Sequence, residues 1–524
     1  MENQVAFIVV MGFIISLLTL LANKLRIAYP VILVLAGLFL SFISGMPDLN
    51  MDPALIFYIF LPPLLFQSSY AISLKEMWQW KRVILSFAFL VVLLTAAGVG
   101  LIAYWIIPGM TLALGMVLGG IVSSTDAVSA TTIMQQVKVP SRIATILEGE
   151  SLLNDASSLI VFSFALMAVQ TGHFEMHHAL LSFCWMVVGG AIIGVAIGVG
   201  FVYLHKVLPA DTNVTIVFTL IAPFLMYIAG ESASASGVLS VVFGGFYMGQ
   251  HTRDLDSKTR LLGSSVWSNT AFVLNGFAFL LIGLNLREIV NAFESDGIGI
   301  ARATSYALFI SLIIMALRML NAYLAIPISK LRRKELGINQ EMIIDSPTSL
   351  IVGWCGMRGV VSLAAALSIP FTLPGGEAFP HRSIILYCTF IVILTTLLLQ
   401  GLSLPLLLKW VHFPVYHDNL DDDEANLVIR KGLAECGLQY LQEHPSDTEN
   451  DVVMRNVVNH WQALAEARVK ESLFKSAAHT YRQILEAQRN YLFKLNRERP
   501  DIDKELIRHY LRRIDLEDER MKND

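Results

Sequence analysis

The chain has 524 residues, of which 55% are apolar and 15% charged, with a mean hydropathy of +0.60 and a net charge of −4. Soluble domains carry about 25% charged residues, so this composition predicts a polytopic membrane protein and gives no indication of a nucleic-acid partner. Residues 418–524 hold 22 of the 42 acidic and 17 of the 38 basic residues. We therefore predict a membrane domain over residues 1–410 and a small cytoplasmic helical tail over residues 411–524.

Apolar segments long enough to cross a bilayer fill the first part of the chain, since a hydrocarbon core of about 30 Å needs roughly 20 helical residues. There are thirteen such segments, at about 5–22, 28–45, 53–70, 83–107, 111–133, 143–170, 179–203, 213–230, 235–249, 266–285, 303–328, 349–371 and 383–408. The predicted fold is all-α, with about 13 transmembrane helices.

Basic residues in the connections between these segments predict the orientation. Odd-numbered connections carry 15 lysines and arginines, whereas even-numbered connections carry only Arg287, Arg302 and Arg382. Because basic loops stay on the cytoplasmic side, we predict an outer N-terminus and a cytoplasmic C-terminus, which requires an odd number of spans.

A polar stretch interrupts the fifth segment, where residues 119–129 read Gly-Gly-Ile-Val-Ser-Ser-Thr-Asp-Ala-Val-Ser. This composition is typical of a helix broken by an extended stretch, whose free carbonyls and hydroxyls can bind a cation. A packing face of small residues is the alternative, but it does not account for Asp126.

The sixth segment adds a second acid, Asp155. At 1.5 Å per residue, both Asp126 and Asp155 fall near the membrane midplane, where a carboxylate costs several kcal/mol unless it serves an ion, a proton or a partner charge. Ser151 shares a helix face with Asp155, and Glu150 shares the adjoining face with Asn154. Asp126, Ser151, Asp155 and the carbonyl of residue 125 could then surround one cation.

The twelfth segment is also interrupted, because residues 353–359 read Gly-Trp-Cys-Gly-Met-Arg-Gly. Its position matches that of the fifth segment if segments 1–6 and 8–13 form two inverted six-helix repeats with crossed discontinuous helices, the arrangement of many transporters. Arg358 at this depth needs a carboxylate, and we predict Glu150 as its partner. The alternative is that Arg358 lines a water-filled cavity. Arg318 and Glu231 receive no site role.

These motifs resemble those of sodium/proton antiporters, specifically the NhaP-like electroneutral branch of the monovalent cation:proton antiporters. The resemblance covers roughly residues 5–410. It rests on residues 123–128 (Ser-Ser-Thr-Asp-Ala-Val) and 149–155 (Gly-Glu-Ser-Leu-Leu-Asn-Asp). Residues 356–363 (Gly-Met-Arg-Gly-Val-Val-Ser-Leu) match the late broken helix of that family, and residues 61–66 (Leu-Pro-Pro-Leu-Leu-Phe) match an early one.

The resemblance implies a role for each candidate residue. Asp155 would carry the ion and the proton, and Thr125, Asp126 and Ser151 would complete the site, with Na⁺ held at Asp126, Ser151 and Asp155. Asn154 would have a structural or tuning role, and Glu150 with Arg358 would form a stabilising ion pair.

The resemblance also implies a homodimer. A core (about 83–170 and 303–410) would slide against a dimerisation part (about 1–82 and 171–285). Many relatives place an acidic residue that contacts the ion through water after the equivalent of Phe66. Here residues 67–69 are Gln-Ser-Ser, which leaves the preference between Na⁺ and K⁺ open.

We therefore predict a secondary transporter of the plasma (inner) membrane, not an enzyme, that exchanges Na⁺ or Li⁺ for a proton in pH and sodium homeostasis. No nucleotide-binding motif occurs, so an ion gradient rather than ATP would drive transport, and no cofactor is expected. Asn154 in place of a second aspartate agrees, by resemblance, with electroneutral 1:1 exchange. Two alternatives are a K⁺/H⁺ antiporter or a cation channel using the same site. A remote one, an intramembrane aspartyl protease, lacks its Tyr-Asp and Gly-x-Gly-Asp motifs here.

Overall fold

The computed structural model describes residues 2–25, 27–42, 53–134, 139–172, 176–207, 211–285, 289–290, 299–336 and 345–413, with short stretches between 432 and 518. The first helices are α1 (Glu2–Leu25), α2 (Tyr29–Ser41), α3 (Pro53–Ala71), α4 (Leu74–Leu85), α5 (Val92–Ile106), α6 (Leu112–Ser123), α7 (Val128–Met134) and α8 (Ser141–Thr171). A π-helical turn, Ser86–Val91, joins α4 to α5.

The later helices are α9 (Met176–Val207), α10 (Thr212–Ser232), α11 (Gly237–Gln250), α12 (Ser257–Leu284), α13 (Ile300–Leu336), α14 (Ser346–Trp354), α15 (Val360–Leu367) and α16 (Arg382–Trp410). A short 3₁₀ turn, Thr252–Asp254, precedes α12. Within the described residues the β-structure is a single isolated bridge between Thr372 and Ala378. The predicted all-α architecture is therefore confirmed.

Each of the thirteen predicted segments overlaps one helix, or two helices joined by a short stretch, in the described part of the chain. Eight helical stretches in the described part of the chain are long and apolar enough to cross a membrane. Helices α1 and α2 contribute shorter apolar stretches. The count of thirteen membrane crossings stays a prediction.

The helices of the first 415 residues pack in two groups. Helices α4, α5, α6 and α8 pack together, and α13 packs against both α14 and α16. In the second group α2 packs on α12, α3 on α11, and α9 on both α10 and α11. Small residues permit these close approaches, because a Cβ at Gly119 would meet the Ala96 carbonyl and one at Gly37 would meet the Leu280 carbonyl.

Both predicted helix interruptions occur. Residues 124–127 separate α6 from α7, and residues 355–359 separate α14 from α15. In each pair a half-helix enters from one side of the helical layer and a second half-helix continues beyond the break. The polar and glycine-rich composition of both stretches thus identified the breaks correctly.

The prediction of an early broken helix at residues 61–66 is wrong. Helix α3 runs without interruption from Pro53 to Ala71, with Pro62 and Pro63 inside it. Proline removes a backbone donor and disfavours the helix interior, but in a membrane protein neighbouring helices can support such a helix. Here α3 packs against α10, α11 and α12, and Leu61, Leu65 and Phe66 are buried.

The chain folds as two compact units, Met1–Val415 and Tyr416–Asp524. Most of the predicted tail lies outside the described residues. Those that are described in the second unit are helical, and within it Arg489 forms an ion pair of 3.1 Å with Asp518.

Candidate ion-binding site

The two interrupted helices meet at their breaks. The Asp126 backbone N–H donates a 2.8 Å hydrogen bond to the Met357 carbonyl, which joins one non-helical stretch to the other. The Asp126 carboxylate accepts a 2.8 Å bond from the Val128 N–H at the start of α7. A Cβ at Gly359, which precedes α15, would lie 2.5 Å from Asp126 Oδ2. Asp126 therefore places negative charge where two half-helices begin, the favourable end of the helix dipole for an anion.

The Arg358 side chain lies at the two breaks where the preceding half-helices, α6 and α14, end. Its Nε donates a 2.8 Å bond to the Val122 carbonyl in the last turn of α6, and its Nη1 donates to the Gly356 carbonyl just beyond α14. Its backbone N–H donates to Thr396 Oγ1 at 3.2 Å. Arg358, only 1% exposed, therefore serves the free carbonyls at two helix C-termini, where positive charge is favoured.

The predicted ion pair between Glu150 and Arg358 is wrong, because Glu150 pairs with Arg318 of α13. Arg318 donates from Nη1 to Glu150 Oε1 at 2.6 Å and from Nη2 to Oε2 at 3.0 Å, a bidentate contact. Arg318 is 2% exposed and Glu150 1% exposed, so each charge needs the other. Arg358 instead uses backbone carbonyls, which also satisfy a buried guanidinium.

A hydrogen-bonded network ties the first break to α8. Asn154 Nδ2 donates to Thr125 Oγ1 at 2.6 Å, and Thr125 Oγ1 donates to Glu150 Oε1 at 3.3 Å. Ser151 Oγ donates to the Thr125 carbonyl at 3.1 Å and accepts from the Ala127 N–H at 3.3 Å. These contacts hold the extended stretch against α8. They also provide the Thr125 carbonyl with a hydrogen-bond donor from the protein.

Asp155 lies beside this network with a different partner. Its carboxylate accepts a hydrogen bond from Ser124 Oγ, and it is 6% exposed. The remaining exposed surface faces a cavity of about 470 Å³, which Ser124, Asp126 and Ser151 also line. Oxygen-bearing side chains of these four residues therefore line one cavity, and hard oxygen ligands suit a small alkali cation.

Of the predicted site residues, the structure brings Asp126, Ser151 and Asp155 to the cavity. The other candidates, Thr125, Asn154, Glu150 and Arg358, are buried behind the cavity and hold its wall. Sequence reasoning missed Ser124, which faces the cavity, and Arg318, which neutralises Glu150. The hydroxyl pair before Thr125 was the available signal for Ser124, whereas nothing in the sequence pairs α13 with α8.

Helix α3 forms the facing wall of the cavity. Gln67 and Ser68 line it, whereas Ser69 is buried, bonds to the Phe66 carbonyl at 3.0 Å and packs against Gly245. Asn275 of α12 also faces the cavity. The wall opposite the two aspartates is thus polar and uncharged at these positions.

The cavity opens towards one side of the helical layer. Its lining reaches Ala71 at the end of α3, Thr132 in α7 and Glu148 near the start of α8. Helix α14 starts on that same side, because its capping residue Asp345 bonds to Arg142 of α8 at 2.9 Å. Helix α15 continues across the layer and α16 returns, so α16 ends on the side where the cavity opens.

A second cavity, of about 450 Å³, is lined by Leu159, Glu231 and Leu367 among others. An apolar cluster lies between the two cavities, namely Phe60, Ala278, Leu281 and Ala364. Phe60 and Ala364 line the first cavity, and Leu367, which packs against the cluster, lines the second. Asp155 lines the first cavity and not the second, so the apolar cluster lies between Asp155 and the second cavity.

The chain is similar to known transport proteins over most of its length. A family model for the transmembrane sodium/hydrogen exchanger matches residues 11–410. The sodium, potassium, lithium and rubidium/H(+) antiporter of Bacillus pumilus (strain SAFR-032) is 32% identical over 421 residues, covering 78% of this chain and 61% of the relative. The same-named protein of Bacillus subtilis (strain 168) is 30% identical, covering 85% of this chain and 66% of the relative.

The chain therefore spans 61% and 66% of the length of these two relatives. Among solved structures, the sodium proton antiporter MjNhaP1 from Methanocaldococcus jannaschii at pH 8 superposes with a TM-score of 0.61. That likeness covers 78% of this chain and 99% of the other at 18% sequence identity, and it identifies the fold.

Proposed function

Because the chain belongs to the transmembrane sodium/hydrogen exchanger family, we propose that it exchanges a monovalent cation, Na⁺ or Li⁺, for a proton across the membrane. The observation that carries this proposal is the cavity that Asp155 lines together with Ser124, Asp126 and Ser151, and whose lining extends to Glu148 near the start of α8. A cation and a proton each neutralise a buried carboxylate, so they compete for Asp155 and are carried in alternation.

We propose a 1:1 stoichiometry, so that exchange is electroneutral. Asn154 is neutral and bonds to Thr125, so Asp155 is the one carboxylate among these two neighbouring residues. Asp126 accepts a bond from the start of α7, and the helix dipole favours its charge throughout the cycle. One carboxylate that crosses only when neutralised exchanges one cation for one proton.

The proposed setting is the plasma (inner) membrane, with the N-terminus outside and the tail inside, in pH and sodium homeostasis. The bias of basic loops supports this orientation, and it places the mouth of the Asp155 cavity on the cytoplasmic side. We further propose a homodimer in which the core (about 83–170 and 303–410) moves against the dimerisation part (about 1–82 and 171–285). The separate packing of the two helix groups supports this division.

The test of this function is exchange by purified protein in vesicles with a preset pH gradient. Na⁺ or Li⁺ added outside is expected to collapse the gradient, monitored by a pH-sensitive dye, and to do so equally when the membrane potential is clamped. A rate that follows the clamped potential would contradict the 1:1 stoichiometry. Folded protein that gives no cation-dependent proton flux would contradict antiport.

A second candidate function, K⁺/H⁺ exchange, is favoured by a specific observation. Gln67 and Ser68 face the cavity where a carboxylate would attract a small, strongly hydrated cation. The names of both Bacillus relatives include potassium among their cations. Collapse of the gradient by K⁺ but not by Na⁺ or Li⁺ would assign the protein to this alternative.

Gln67→Glu is expected to strengthen cation binding, because it adds a carboxylate to the cavity wall that faces the two aspartates. We expect the added charge to strengthen cation binding by about 1.4 kcal/mol, which lowers the apparent KM for Na⁺ roughly tenfold. The measurement is the Na⁺ dependence of dye recovery at fixed pH. Gln67→Asn, which adds no charge, is the matched control, and equal KM values for the two variants would remove Gln67 from the cation path.

A further inference from the structure

Each of the two cavities holds one carboxylate that the central site does not use. Glu148 lines the cavity that contains Asp155, and Glu231 lines the second cavity. Glu231 is tied to its own loop, because its Oε1 accepts a 3.0 Å bond from the Gly237 N–H. Glu148 is half-buried and lines its cavity near the start of α8. Its position raises the question of what a charge does there.

Helix geometry aligns Glu148 with the central site. Residues 148, 151 and 155 of α8 are spaced by three and four positions, so they share one helix face, and all three line the cavity. Seven residues of helix place Glu148 about 10 Å from Asp155 along the axis, towards the mouth. A cation entering from that side passes Glu148 before it reaches Asp155.

The nearest basic residue on α8 does not compensate this charge. Arg142 donates to Asp345 at 2.9 Å and to Thr348 at 2.9 Å, so its guanidinium serves the start of α14. Glu76 of α4 adds further negative charge nearby, and its Oε2 accepts a 2.7 Å bond from Thr145, one turn from Glu148. Within the described part of the chain, no ion pair includes Glu148.

We propose that Glu148 recruits monovalent cations at the mouth of this cavity, as a positioning residue for Asp155 rather than as a second carrier. A carboxylate in a narrow, low-dielectric cleft raises the local cation concentration and hence the rate of cation arrival. About 10 Å is too far for Glu148 and Asp155 to ligate one ion together, but it lies within the range of an electrostatic field. This inference rests on the proposed antiport and adds to it the residue that governs cation entry from the tail side.

Glu148→Gln tests the proposal in vesicles whose orientation is read from protease access to the C-terminal tail. For Na⁺ added on the tail side at low ionic strength, the apparent KM is expected to rise roughly three- to tenfold while the maximal rate is kept. The ratio of mutant to wild-type KM should fall towards one as an inert salt raises ionic strength, because exposed charges are then screened. Glu148→Asp should retain the wild-type KM within about twofold.

Glu231→Gln is the matched control, since it removes one carboxylate from the other cavity. It should leave the KM for tail-side Na⁺ unchanged. Three results would each overturn the recruiting role: an unchanged KM in Glu148→Gln, a loss of maximal rate that does not depend on salt, or an equal KM increase in Glu231→Gln. Exchange by the wild-type protein at saturating Na⁺ tests antiport separately, so the role of Glu148 can fail while the proposed function stands.

Discussion

Asp155→Asn is expected to reduce cation-dependent proton flux to that of empty vesicles while the protein stays folded. Asparagine keeps an oxygen that can accept the hydrogen bond from Ser124, so the local geometry survives. It carries no charge, however, and therefore neither binds a proton at physiological pH nor neutralises a cation. Because removal of a buried charge relieves its desolvation, the midpoint of thermal unfolding should be unchanged or higher. Dye-monitored flux and thermal unfolding in detergent are the two measurements.

Asp126→Asn is the matched control for this experiment. Asparagine can still accept the Val128 N–H bond at the start of α7, so the half-helix keeps its cap. We expect exchange to persist with a higher apparent KM for Na⁺, because one cavity carboxylate is lost. Flux in Asp155→Asn that equals the wild-type rate would refute the carrier role of Asp155. Abolition in Asp126→Asn alone would transfer that role to Asp126.

The helix breaks could be predicted because their cause is local in the sequence. Gly, Ser, Thr and Asp in the middle of an apolar segment neither pack against lipid nor favour an unbroken helix. The composition therefore predicts breaks at residues 124–127 and 355–359. The position of Asp126 and Asp155 at the cavity was predictable from their depth, since each charge at membrane depth requires a partner or a task. Proline was the weaker signal, because the packing that keeps α3 continuous comes from other helices.

The partner of Glu150 was not predictable because it depends on three-dimensional packing. Arg318 and Arg358 both lie in apolar segments, and the sequence contains no measure of which guanidinium reaches Glu150. Membrane depth and the family resemblance both predict Arg358 as the partner of Glu150, and neither takes account of the free carbonyls at the ends of broken helices. Each break leaves such carbonyls, and Arg358 bonds to Val122 and Gly356. A buried arginine beside a break therefore has a partner that involves no carboxylate.

Arg318→Met is expected to lower the free energy of unfolding by about 3–5 kcal/mol, the range for removing one member of a buried ion pair. The bidentate contact at 2.6 and 3.0 Å would be lost, and Glu150 would remain charged or take up a proton within the helical layer. Glu150 also accepts from Thr125 at 3.3 Å, so the break next to Asp126 should loosen and exchange should slow. Denaturant unfolding in mixed micelles gives the free energy, and vesicle flux gives the rate.

A double-mutant cycle distinguishes this pair from the predicted pair of Glu150 with Arg358. Glu150→Gln, Arg318→Met and the double variant should show a coupling free energy of about 2–3 kcal/mol, as expected for residues in direct contact. The parallel cycle with Arg358→Met should give less than about 1 kcal/mol, because the guanidinium of Arg358 bonds to backbone carbonyls. If the larger coupling belonged to Arg358, the pairing of α13 with α8 described here would be incorrect, and Arg318 would have to find another partner within the helical layer.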